Sequence, residues 1–225
     1  MTLPNILVAS GVIIFAYLIG SISFAVIFSN YFIGRDIRKS GSGNAGATNV
    51  LRTAGKLPAA LTFLFDALKG FAACFAGKMV FTYLFGQTGS LVVFTPAYGA
   101  YLCCLAVMLG HIYPIFFGFK GGKAVACSVG TFAVCCPLAI ILGLTAFVIS
   151  LLTSKIVSVS SIIATVVVVS VSVIYGFAAP EISYNVIPTT VMSLIAGYIV
   201  IVKHKDNIVR LLNGTEKRIS SKKGK

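Results

Sequence analysis

Residues 41–49 read GSGNAGATN, in which Gly41, Gly43 and Gly46 alternate with Ser42, Asn44, Thr48 and Asn49 and no side chain is larger than asparagine. Glycine tolerates positive φ and close backbone approach, so successive N–H groups in such a stretch can line one concavity of the kind that seats a phosphate. Basic residues flank it, with Arg35, Arg38 and Lys39 before and Arg52 and Lys56 after. The composition alone is equally that of a solvated loop. What separates the two readings is where the chain places the stretch.

Three further stretches offer groups for the same chemistry. Lys120, Gly121, Gly122 and Lys123 follow Pro114 and Gly118, which end one apolar run, and they open the next. A glycine turn feeding a helix start presents free N–H groups and the positive end of the helix dipole. The spacing is not that of a P-loop, so nucleotide binding is not indicated. Ser158 and Ser161, in VSVSS, begin a later apolar segment, where lone serines would be caps. His204, Asn207 and Arg210 stand where the last apolar segment gives way to a basic tail. Neutral donors with a few cations suit a phosphate-bearing substrate at a membrane surface.

Asp66 and Lys69, one helical turn apart, read as a mutually neutralising structural pair. His111, at the end of an apolar run, reads as a hydrogen-bonded structural residue. With five Asp plus Glu in 225 residues, a two-metal site or a proton-relay pump lacks ligands, so no metal or cofactor is expected. Cys74, Cys103, Cys104, Cys127, Cys135 and Cys136 lie almost entirely in apolar runs without zinc-site spacing, and read as small buried hydrophobes.

Positioning these groups requires a scaffold, and composition says which kind. The chain is 58% hydrophobic and 10% charged, with a mean hydropathy of +1.00; a soluble domain of this size could not hide that much apolar surface. An all-α integral membrane protein is predicted, as one polytopic domain over 1–225: a helical bundle over 1–203 and a basic tail over 204–225. Apolar segments run from about Ile6 to Phe32, Ala59 to Phe85, Leu91 to Phe119, Ala124 to Leu152 with a break at Cys136-Pro137, Ile156 to Phe177, and Ile187 to Val202. Counting the broken one as two gives seven transmembrane helices. The net charge of +13 then falls on alternate loops and the tail, whereas the connections near Gln87, Pro137 and Glu181 lack Lys and Arg. The positive-inside rule therefore puts the N-terminus outside and the C-terminus in the cytoplasm. All four polar stretches come to the cytoplasmic face, and membrane and phosphorylated substrate, not nucleic acid, account for the charge.

In order and spacing these motifs resemble those of the bacterial acyl-phosphate:glycerol-3-phosphate acyltransferases, the PlsY family. They are GSISF at Gly20, DIRKSGSGNAGATNVLRTAGK from Asp36, DALKG from Asp66, GHIYPIFFGFKGGKAVA from Gly110, VSVSS from Val157, and HKDNIVRLLNGTE from His204. The resemblance implies a bacterial inner-membrane enzyme whose active site is open to the cytoplasm. Such an enzyme moves an acyl group from acyl phosphate to the 1-hydroxyl of glycerol 3-phosphate, giving lysophosphatidic acid and phosphate. It implies no metal, no acyl-CoA or acyl carrier protein as direct donor, and functional coupling to the enzyme that makes the acyl phosphate. Carried onto this chain, the phosphate loop is Gly41 to Thr48 with Ser42 and Thr48 as donors, and the second glycine cluster is Gly121, Gly122 and Lys123. Contacts to glycerol 3-phosphate are expected from Arg52, Lys123, Ser161, His204 and Asn207, and catalytic roles from Ser42, Lys123 and His204. Two positions depart from the family pattern, Ser23 where it has Pro and Ala124 where it has Gly. A small transporter is the competing class. It would place polar groups or broken helices at mid-membrane, often in repeated halves; here they gather at one surface. Neither His111 nor His204 begins the HxxxxD motif of acyl-CoA-type acyltransferases, and the dispersed aspartates do not form a CDP-alcohol phosphotransferase motif.

Overall fold

A computed structural model describes residues 3–85, 96–178 and 186–219. Helices account for its regular structure, with no strand among the described residues. They are α1 (Leu3–Gly20), α2 (Phe24–Ile33), α3 (Ala47–Thr53), α4 (Lys56–Phe85), α5 (Pro96–Ile112), α6 (Val125–Cys135), α7 (Pro137–Ser154), α8 (Val157–Ala178), α9 (Val186–Lys203) and α10 (Lys205–Leu212). The expected connections near Gln87 and Glu181, the start of the third segment at Leu91, and the last tail residues lie outside the described residues.

Among the described residues, six helical spans are long and apolar enough to cross a membrane. The seventh expected segment is α6, which at 11 residues rises only about 16 Å. Its start and the end of α7 lie on the same side. Val125 lines the cleft described below, and the carbonyl of Lys155, just after α7, accepts from Ile219 of the tail that borders that cleft at 2.7 Å. The pair runs in and back, with the turn at Pro137, where the first helical position has no need of an N–H. α4 is the central element and packs on α1, α5 and α6, while α7, α8 and α9 form a second group tied to the first through α5 and α6. Close approach between α4 and α6 needs Gly130, where a Cβ would lie 1.8 Å from the Ala67 carbonyl oxygen.

The first expected helix is broken. After Gly20, the Ser21 hydroxyl bonds back to the Tyr17 carbonyl at 2.9 Å and Ser23 adopts extended backbone before α2. The break frees the Ile22 carbonyl, which accepts from Lys69 on α4 at 2.7 Å. Five of the six cysteines are buried and Cys135 is half-buried, and the sulfur atoms of Cys74, Cys104 and Cys135, from three helices, lie within 4.8 Å of one another. Outward side chains such as Phe15, Phe75, Ile141 and Ile174 stay exposed, as lipid-facing positions of a bundle do.

Candidate active site

The loop over 36–49 is held from inside. Ile37, Ala45 and Val50 are buried in a small apolar cluster with Ala25, Val26 and Ala59. Above it, the Asn49 amide is fully committed to the loop: its Nδ2 donates to the carbonyls of Ile37, Ser40 and Asn44 at 2.9–3.1 Å, and its Oδ1 accepts from the Ser42 N–H at 2.9 Å. Gly41 and Gly43 make the turn at φ of +64° and +73°. Arg38 turns away from the loop it precedes. Its guanidinium pairs with Asp36 at 2.7 Å and donates to the carbonyls of Phe117 and Lys120, clamping this loop to the second glycine cluster. Hydrogen bonding from Arg38 holds the Asp36 carboxyl below its ordinary value.

In the second cluster the N–H groups of Gly121 and Gly122 donate to the carbonyls of Ile112 and His111 at 3.1 Å. They are therefore not the free donors that the composition suggested. The N–H groups of the first turn of α6 have no partner within the helix, and Val125 and Ala126 of that turn line the cleft. Just before that turn, Ala124 is buried at φ +62°, a left-handed conformation that costs an L-residue roughly 1–2 kcal/mol. Glycine would not bear that cost.

The four polar stretches meet in one cleft of about 450 Å³. Its wall takes Ser42, Gly43, Asn44, Thr48, Asn49 and Arg52 from the first stretch, Gly121 and Lys123 from the second, Ser158 and Ser161 from the third, and His204, Asn207 and Arg210 from the fourth. Gly41, Lys120 and Gly122, expected in the site, do not line the cleft; Gly41 and Lys120 are exposed and Gly122 is buried. A narrower apolar groove, of about 100 Å³, runs between α6, α7, α8 and α9 and shares Phe63, Val125, Phe147 and Ser161 with the cleft.

Glu216 organises the far side. Its side chain is 4% exposed and accepts from Ser158 Oγ at 2.8 Å, Asn207 Nδ2 at 2.6 Å and Arg210 Nε at 2.6 Å. Burial alone would raise its pKa; the donors Arg210, Asn207 and Ser158 outweigh it and hold the carboxyl below its ordinary value. Nothing in the residue type marked Glu216 as part of the site, although it closes the HKDNIVRLLNGTE stretch. The same tail receives Arg52, which donates to the Lys217 carbonyl at 3.2 Å.

Lys123 contacts Asn207 Oδ1 through its ammonium. Burial, followed by the charge of Arg210, pushes its pKa down to about 8. His204 is buried, and its Nδ1 lies 2.8 Å from the Val200 carbonyl. A carbonyl can only accept, so Nδ1 carries the proton and Nε2 keeps its lone pair. Burial pushes this imidazole down to about 4, so it is neutral at physiological pH.

A family model described as glycerol-3-phosphate acyltransferase matches residues 10–214. A glycerol-3-phosphate acyltransferase from Bordetella pertussis is 38% identical over 224 residues, covering 99% of this chain and 97% of that one. Crystal structures of PlsY, an integral membrane glycerol 3-phosphate acyltransferase, are similar in fold. Its glycerol 3-phosphate form has a TM-score of 0.77 at 34% identity, and its lysophosphatidic acid form 0.74 at 33%; each comparison covers 95% of this chain and 96% of the other.

Proposed function

This chain belongs to the glycerol-3-phosphate acyltransferase family, and we propose that it takes its acyl group from an acyl phosphate and that the cleft between residues 41–52 and 203–216 is its active site. It is a multi-pass membrane acyltransferase that acylates glycerol 3-phosphate. The observation that carries the site assignment is the continuity of a polar cleft holding Lys123, Arg52 and Arg210 with an apolar groove, joined at Ser161 and Val125. A phosphorylated headgroup and a fatty acyl chain require those two environments side by side.

In this reading Lys123, Arg52 and Arg210 seat the phosphate of glycerol 3-phosphate, with Ser161 and Asn207 as neutral donors. Ser42, Gly43, Asn44 and Thr48 face the phosphate of the donor, and the acyl chain lies along the groove. The 1-hydroxyl oxygen forms a bond to the acyl carbon while the bond from that carbon to the donor's phosphate oxygen breaks, and phosphate leaves with the electron pair. A mixed anhydride needs little nucleophilic help; orientation and charge stabilisation supply the rate. An imidazole held near 4 is a poor base at neutral pH. His204 therefore orients the hydroxyl through its Nε2 lone pair, and the departing phosphate takes the proton. No acyl-enzyme forms. Arg35, Lys39, Lys155 and the Lys203 to Lys217 region share the side of the cleft, which supports a cytoplasmic active site in a bacterial inner membrane, with the acyl-phosphate-producing enzyme as functional partner.

The pH profile tests the site. kcat/KM for glycerol 3-phosphate should fall above about pH 8, as the Lys123 ammonium, whose pKa is lowered to about 8, loses its proton in the free enzyme. An alkaline limb at the ordinary lysine value of ~10.4 would contradict the assignment.

A further inference from the structure

The buried ion pair of α4 has a third member on the wall of the cleft. Asp66 Oδ1 lies 2.8 Å from Lys69 Nζ, and the two side chains are 1% and 3% exposed. Lys69 reaches across to the Ile22 carbonyl, the one freed where α1 ends, and its ammonium lies over the Phe24 ring, 5.6 Å from the centroid. On its other side Asp66 Oδ1 faces His111 Nδ1 at 3.4 Å. Oδ1 is thus shared between the Lys69 ammonium and the imidazole. The far edge of the imidazole meets Gly122, which on its other side meets the 41–49 loop: a Cβ on Gly122 would come within 2.2 Å of His111 Nε2 and 2.7 Å of the Ala45 carbonyl oxygen. The His111 carbonyl also accepts the Gly122 N–H at 3.1 Å. Asp66 and His111 both line the cleft.

A buried ion pair is weak evidence for a stabilising role, because a neutral replacement of similar shape is often tolerated without loss. The position of this one is more informative than its strength. It joins the helix break, the last turn of α5 and the contact between the two loops. We propose that Asp66, acting through Lys69 and His111, is a positioning residue for acyl transfer. It keys the imidazole whose edge keeps the Gly121–Lys123 turn in register with the 41–49 loop, and so sets where the Lys123 ammonium meets substrate phosphate. This inference rests on the acyltransferase reading above.

Two variants test it in purified protein with palmitoyl phosphate and glycerol 3-phosphate. Asp66→Asn/Lys69→Gln removes both charges together, so neither is left unpaired; His111→Gln leaves the ion pair intact and removes the ring. Both should keep a thermal midpoint close to wild type, yet raise KM for glycerol 3-phosphate about tenfold or more, since a misplacement on the order of 1 Å is enough. KM for palmitoyl phosphate should move little. A merely structural pair predicts the opposite for the double variant, with wild-type kinetics once folded. Wild-type KM for glycerol 3-phosphate in either folded variant overturns the proposal, and if the double variant does not fold, His111→Gln decides it. Wild-type protein inert toward both substrates would overturn the acyltransferase reading and this inference with it.

Discussion

Lys123→Ala is expected to lower kcat/KM for glycerol 3-phosphate by about 10²–10³-fold, within the range lost when one partner of a buried charge pair is truncated. Lys123 is the cation that the second glycine cluster delivers to the cleft floor, in contact with Asn207 and in the field of Arg210. Its loss should appear chiefly in KM, because the substrate phosphate carries its charge before the reaction as well as during it. The protein should nevertheless fold. Burial holds this lysine's pKa below its unfolded value, so the folded state disfavours the charged form, and stability should rise as pH passes from about 8 toward ~10.4. Removing the ammonium thus relieves the fold rather than harming it. Steady-state kinetics together with a melting curve check both halves. Full turnover in folded Lys123→Ala protein would sink the phosphate assignment.

Glu216→Ala should be the second large effect, with activity falling about 10²-fold because three groups of the cleft lose their common acceptor and lie misaligned. Ser158, Asn207 and Arg210 are all held by this one carboxylate. Unlike the lysine change, this one should also lower the melting midpoint, since Asn207 and Ser158 are buried and would be left without their partner. Glu216→Gln keeps an acceptor but loses the charge, and should fall between wild type and Ala on both measures. The carboxyl is held below its ordinary value of 4.5 in the fold. Its contribution is therefore present above that pH and lost as pH falls through the folded value. Wild-type kinetics and melting in Glu216→Ala would mean that the tail merely lies across the site.

The convergence of four distant stretches on one cleft was legible in the sequence, because each carried small or polar residues at the end of an apolar run and the basic loops alternated. The break at Pro137 was legible for the same kind of reason, a residue without an N–H inside an otherwise continuous segment. What could not be read is how the donors are shared out. Asn49 and Arg38 have the chemistry of substrate ligands, but Asn49 Nδ2 and Arg38 Nη1 donate to backbone carbonyls that only the fold brings within reach. Gly121 and Gly122 likewise give their N–H groups to the end of α5. The break after Gly20 has no proline or paired glycine to announce it, and the group that meets the freed Ile22 carbonyl is Lys69, 47 residues further on. Glu216 was hidden in plain view, since a carboxylate among expected anion ligands makes sense only once Ser158, 58 residues away, is seen to donate to it.

The most direct test of the account is donor-dependent product formation by the purified, detergent-solubilised protein. With glycerol 3-phosphate and palmitoyl phosphate, and no added metal, lysophosphatidic acid and inorganic phosphate should appear in equal amounts, each requiring both substrates. Palmitoyl-CoA in place of the acyl phosphate should give nothing. Product from the CoA ester at a comparable rate, or none from the acyl phosphate in protein shown to be folded, would contradict the acyl-phosphate reading of the cleft.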